Sequence, residues 1–362
     1  MMLPWLEPSW ARLLALGERL PHALLVTGAP GLGKRDLAEA LAARLLCEAP
    51  AADGQACEHC TPCQWRRAGT HPDLRRLTPE SAAARNAAGE AAETAGAGET
   101  AGAGGGEGKA KSAWIVIEQV RAVQEALTMT AHRGGRRVVI VDPAEAMNPF
   151  TANALLKLLE EPPQGCVFVL VSCASRRLLP TIRSRCQQWH IPPPDESALR
   201  RWRAEQGDAG RVSAGLLALC GGMPLAARRL AEQGFEALFA RFVKDLATDE
   251  IDPLRLAGQW EAWIKKDKAA LAAGFGLPML VDWMQRWVSD LAALRLGGRV
   301  RYFPAQGECL ARLSGRMSVA AAGNCYNDFV NIRRVAAHPL NPRLFLEDML
   351  MRYARTMKGV RP

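Results

Sequence analysis

At 362 residues, 49% of them hydrophobic, the chain has room for two or three domains with substantial cores. Its 46 Lys and Arg exceed 37 Asp and Glu, and the resulting charge of +9 is compatible with nucleic acid without requiring it. Uncharged stretches such as Ala269 to Val281 are too short to span a membrane, and no apolar run follows a basic start, so a cytoplasmic protein whose ten cysteines serve as thiols or metal ligands is expected.

Ala23 to Thr27 is a short apolar run that ends at a glycine loop, the pattern of a buried parallel strand. The loop, Gly28-Ala29-Pro30-Gly31-Leu32-Gly33-Lys34-Arg35, follows the phosphate-binding pattern G-x-x-x-x-G-K-[S/T] up to its last position. Gly28, Gly31 and Gly33 allow backbone N–H groups to turn toward phosphate oxygens, and Lys34 would neutralise them. The last position should give magnesium a hydroxyl, but Arg35 offers a positive charge instead. A helix follows, with Leu37, Leu41 and Leu45 at a four-residue repeat.

Cys47 closes that helix, and Cys57, Cys60 and Cys63 follow as C-x-x-C-x-x-C. Four thiolates at such spacing suit a closed, tetrahedral and structural zinc site. An iron–sulfur cluster uses the same ligand type, and His59 and His71 are alternative ligands nearby. The remaining cysteines, Cys166, Cys173, Cys186, Cys220, Cys309 and Cys325, are scattered and read as packing residues.

Residues 81–113 hold no Val, Ile, Leu, Met or aromatic residue, so a disordered insertion is expected there. Trp114 to Ile117 resumes the fold, and Val138 to Val141 is a second buried strand. Asp142 closes it, where a magnesium-organising carboxylate belongs in a nucleotide hydrolase. The next residue should then be a Glu that orients water, but it is Pro143, and Glu145 is expected to point elsewhere. Val167 to Val171 is a third strand, and strands alternating with helices imply an α/β fold with a parallel sheet.

Pro192-Pro193-Pro194 reads as a boundary, beyond which the pattern is helical, broken once at Gly221-Gly222-Met223-Pro224. Trp260, Trp263, Trp283 and Trp287 suit either a helical core or an interface. The last helix should be capped by Asn341, begin at Pro342 and bury Leu346, Met349, Leu350 and Tyr353.

Several segments together resemble the AAA+ clamp-loader subunits of bacterial DNA polymerase III. They are Leu20-Pro21-His22-Ala23-Leu24-Leu25, the phosphate loop, the four cysteines, and His71-Pro72-Asp73. Ala152 to Pro163 (ANALLKLLEEPP), Ser184-Arg185-Cys186 and Asn341 to Asp348 complete the set. The resemblance implies a nucleotide-binding-like domain over 1–192, with a zinc module at 47–63, a helical lid over 193–240 and a helical collar over 241–362. It implies a hetero-pentamer with gamma/tau and delta subunits, which loads a sliding clamp onto primed DNA within the polymerase holoenzyme. Arg185 would be an arginine finger acting in trans on a neighbour's ATP.

Departures from the motor pattern sharpen this. A motor subunit would carry a hydroxyl at 35, Asp-Glu at 142–143 and an Arg where Pro224 stands. All three changes favour the delta-prime branch, a stator without ATP hydrolysis of its own, over the gamma/tau motor branch. The retained Lys34 leaves ATP binding open. An unrelated phosphate-loop kinase is a further alternative, but it leaves the cysteines and Ser-Arg-Cys unexplained.

Overall fold

The computed structural model describes residues 2–80, 112–128, 135–206, 212–248, 250–336, 338 and 341–358. The insertion expected at 81–113 lies outside these residues, except for Ser112 and Ala113. Two compact units are present, residues 1–195 and 196–362, so the Pro192 to Pro194 run falls at the division.

The first unit is α/β. Its strands are β1 Ala23–Thr27, β2 Leu74–Leu77, β3 Arg137–Val141, β4 Cys166–Ser172 and β5 Gln187–His190. All pair in parallel, in the order β2-β3-β4-β1-β5. Parallel neighbours require long crossovers, which helices provide. Helix α1 Glu7–Leu16 precedes the sheet, and α2 Lys34–Leu46, α3 Thr61–Arg67, α4 Ile117–Thr128, α5 Pro149–Glu160 and α6 Pro180–Arg185 occur between strands.

The three strands expected from sequence are the interior ones, buried along their whole length. The sequence pattern does not predict edge strands β2 and β5. Arg75 and Arg76 stand exposed in β2, and only Trp189 is buried in β5, so neither shows an apolar run. Thr27 pairs with both Ser172 and His190, which brings the carboxyl ends of β1, β4 and β5 to one edge. The chain leaves that edge into the glycine loop, the usual ligand-binding side of an open parallel sheet.

Among the described residues the second unit is helical. It contains α7 Glu196–Glu205, α8 Ala214–Leu219, α9 Pro224–Glu232, α10 Phe235–Leu246 and α11 Pro253–Lys266. Then come α12 Lys268–Ala272, α13 Leu277–Arg295, α14 Gly307–Gly315, α15 Val319–Val335 and α16 Pro342–Lys358. Trp260, Trp263, Trp283 and Trp287 are all fully buried, which makes them core residues rather than surface anchors. They pack with Phe242, Phe275 and Phe303, the Phe242 and Trp283 rings meeting edge to face at 5.5 Å. Asn341 caps α16 by accepting the Arg343 N–H at 2.9 Å, and Leu346, Met349, Leu350 and Tyr353 are buried. The Trp287 indole N–H donates to the Tyr353 hydroxyl at 3.0 Å, tying α13 to α16. No described helix is long and apolar enough to cross a membrane.

One buried carboxylate organises the chain after α13. Asp290 accepts backbone N–H bonds from Arg301, Tyr302 and Phe303 at 2.9, 2.8 and 2.9 Å. Asp290→Ala would strand these donors, so chemical denaturation should read a loss of about 3 kcal/mol in the second unit. Asp290→Asn keeps one acceptor oxygen and should lose less. Equal stability for Asp290→Ala and the parent would show that the anchor is dispensable.

Candidate functional site

The glycine loop is shaped by what crowds it. A side chain at Gly28 would place its first carbon 2.8 Å from the Ile191 carbonyl oxygen. Gly33 has φ +77°, caps α2, and would collide with Leu3 at 2.6 Å. Both positions therefore require glycine. Gly31, also at positive φ, sits between them. The segment before α1 covers the loop: the buried Trp5 indole N–H donates to the Leu32 carbonyl at 2.9 Å. Lys34 is only 4% exposed, and its ammonium donates to the Ala29 carbonyl at 2.6 Å. The lysine thus closes the loop upon itself.

Arg35, in the first turn of α2, reaches Asp142 beyond β3, with Nε 3.7 Å from Oδ2. Burial raises the Asp142 carboxyl above its usual range, and the Arg35 guanidinium opposes that shift. A guanidinium therefore sits where a metal-organising carboxylate would meet its cation. Glu145 is engaged elsewhere, since its carboxylate accepts the Cys173 backbone N–H at 2.9 Å. Cys173 itself is exposed, which corrects the expectation that it packs; it lies just beyond β4, where the buried run has ended.

Arg185 is the last residue of α6, a helix anchored by buried Ile182. Its side chain is 36% exposed. One guanidinium nitrogen lies 2.5 Å from the Glu160 carboxylate, and another donates to the Thr181 carbonyl at 3.1 Å. Glu160 ends α5, whose start is capped by Asn148 accepting the Thr151 N–H at 2.8 Å. The flanking residues have local duties. Ser184 donates to Thr181, and burial pushes the Cys186 thiol up to about 12, as expected of a packing cysteine. Arg185 is accordingly held by Glu160 and Thr181, not by the phosphate loop.

Cys47, Cys57, Cys60 and Cys63 converge, with their sulfurs all within 4.8 Å of one another. The separations are 3.9 Å from Cys47 to Cys60 and 4.0 Å from Cys57 to Cys63. A tetrahedron of sulfurs about 2.3 Å from zinc has edges of about 3.8 Å, so the donor set fits a single ion. Backbone N–H groups of Cys57 and Cys60 point at the sulfurs of Cys47 and Cys57, each at 3.3 Å. The His59 backbone N–H is the main cause that brings the Cys57 thiol down to about 6. Burial pushes Cys63 the other way. Neither histidine joins the group: His59 lies on the Cys57 carbonyl, and His71 accepts the Asp73 N–H. The loop between Cys47 and Cys57 is tied to α1, where the Trp10 indole N–H donates to the Asp53 carbonyl at 3.3 Å.

A family model described as DNA polymerase III, delta subunit matches residues 11–195. A DNA polymerase III subunit delta' of Pseudomonas aeruginosa is 38% identical over 298 residues, 81% of this chain and 78% of that protein. The subunit delta' of Escherichia coli is 36% identical over 205 residues, 56% of this chain and 52% of its own length. That of Yersinia pestis is 33% identical over 235 residues, 63% of this chain and 60% of its own.

Proposed function

The chain belongs to the DNA polymerase III delta-prime family, and on that premise we propose that it is the stator of a clamp loader, lending Arg185 to ATP bound by a neighbouring subunit. The Arg35–Asp142 pair carries this reading. In a hydrolytic site that carboxylate organises magnesium, and the following residue orients the attacking water. Here the carboxylate faces an internal cation and the following residue is Pro143. The cation needed for chemistry is instead offered outward, by an arginine that is always charged. A guanidinium brought to the γ-phosphate of a neighbour's ATP would stabilise the charge that develops during transfer.

In this reading the partners are gamma/tau and delta subunits in a hetero-pentamer, and the sliding clamp and primed DNA are reached through the complex. Residues 193–240 act as a lid and 241–362 as the collar that holds the ring, in the cytoplasm. Cys47, Cys57, Cys60 and Cys63 hold a structural zinc ion with no open position for chemistry. Gly28, Gly31, Gly33 and Lys34 keep the shape of a phosphate site, and nucleotide held there would bind without magnesium. Membership of the family leaves the unrelated kinase without support.

Mixing the purified chain with a gamma/tau-type motor, a delta subunit, the clamp and primed DNA tests the reading. DNA-stimulated ATP turnover should depend on this chain, and turnover indifferent to it would contradict the stator role. Arg35→Thr tests the own-site half. That substitution restores a hydroxyl and releases Asp142, so magnesium should tighten binding of a fluorescent ATP analogue about tenfold, while the parent stays indifferent to magnesium. A parent chain whose affinity rises with magnesium would overturn this part.

A further inference from the structure

We propose that Glu160 is a positioning residue for Arg185, fixing the guanidinium at the surface so that it meets the neighbour's nucleotide already oriented. This rests on the arginine-finger reading of Arg185. The observation is the geometry of two helix ends. Leu155, Leu158 and Leu159 bury α5 and Ile182 buries α6, so both backbones are set by the core. Their last residues, Glu160 and Arg185, project together to the surface and pair at 2.5 Å. The Thr181 carbonyl holds the other terminal nitrogen of the same guanidinium. Two contacts from two elements define both the position and the plane of the fork.

An exposed arginine without such a frame would sample many rotamers, and each productive encounter would have to select one. Pre-orientation removes that loss from the catalytic step, where small misplacements reduce rate strongly. The pair is also poorly suited to a stabilising role. Glu160 is 47% exposed and Arg185 36%, and exposed ion pairs add little to stability. Stability therefore does not account for the pair.

The test uses the reconstituted complex. Glu160→Ala should slow the single-turnover phase of the site this chain faces about tenfold, with ATP affinity within about twofold and an unchanged melting curve. Glu160→Gln keeps an oxygen acceptor in the same place and should recover most of the loss. In an Arg185→Ala background, Glu160→Ala should add nothing, because the group it positions is gone. Unchanged turnover for Glu160→Ala would overturn the proposal. So would raised turnover, which would make the pair a restraint, or a further loss in the Arg185→Ala background. Failure of the finger reading is distinguishable, because Arg185→Ala alone would then be silent, and both readings would fall together.

Discussion

Replacing Arg185 with Ala is expected to slow ATP hydrolysis at the site this chain faces by about a thousandfold, the scale of a lost arginine finger. The chain itself should fold as before. Arg185 ends a surface helix, and its bond to Glu160 is an exposed pair whose removal costs little. Arg185→Lys should not rescue the rate. An ammonium is a point charge on a flexible stem, and it cannot hold Glu160, Thr181 and a phosphate oxygen in one planar arrangement. Single-turnover hydrolysis by the assembled complex is the measurement, because it resolves individual sites. Arg185→Ala should remove one phase and leave binding of ATP intact. Full retention of every phase would remove the finger role.

The second large effect concerns the metal. Cys60→Ser is expected to abolish zinc binding and to lower the melting temperature of the first unit by about 10 °C. Structural zinc in small sites contributes on the order of 10 kcal/mol of apparent binding free energy, so little of it has to reach the unit to be visible. The cysteine loop has a route to the rest of the unit. Cys47 directly follows α2 as its C-cap, α2 starts at the glycine loop, and the Asp53 carbonyl holds Trp10 of α1. Gly54, at φ +77°, lies so close to Leu14 that a side chain there would clash with it. Loss of the ion should therefore loosen α1 and, through Trp5, the cover of the phosphate loop. Elemental analysis should find one zinc per chain in the parent protein and none in Cys60→Ser. A parent protein without zinc would show that the four cysteines do not hold the ion.

Much of the first unit was legible in the sequence because burial on both faces leaves an unbroken apolar run. That signal exists for β1, β3 and β4 and is absent from the edges, where Arg75, Arg76, Gln187 and Gln188 face outward. The glycine loop and the cysteine spacing were legible because phosphate and metal chemistry fix short-range patterns. Long-range pairings leave no such pattern. The sequence indicates that Arg35 cannot ligate magnesium, but its contact with Asp142 depends on how α2 and β3 come together. The Glu160–Arg185 pair joins two motifs that look unrelated along the chain. The tryptophans show the same limit, because helical spacing marks an apolar face without saying whether the chain or a partner covers it. Burial in the second unit answers that for all four.

A single assay reaches the division of labour between the two arginines: magnesium-dependent ATP hydrolysis by the purified chain alone. With Arg35 on Asp142 and Pro143 in place of a water-orienting acid, the expected result is a rate at buffer background, unchanged by Lys34→Ala. A rate that rises in proportion to the chain and falls with Lys34→Ala would mean that its own cleft does the chemistry, and the stator reading would be wrong.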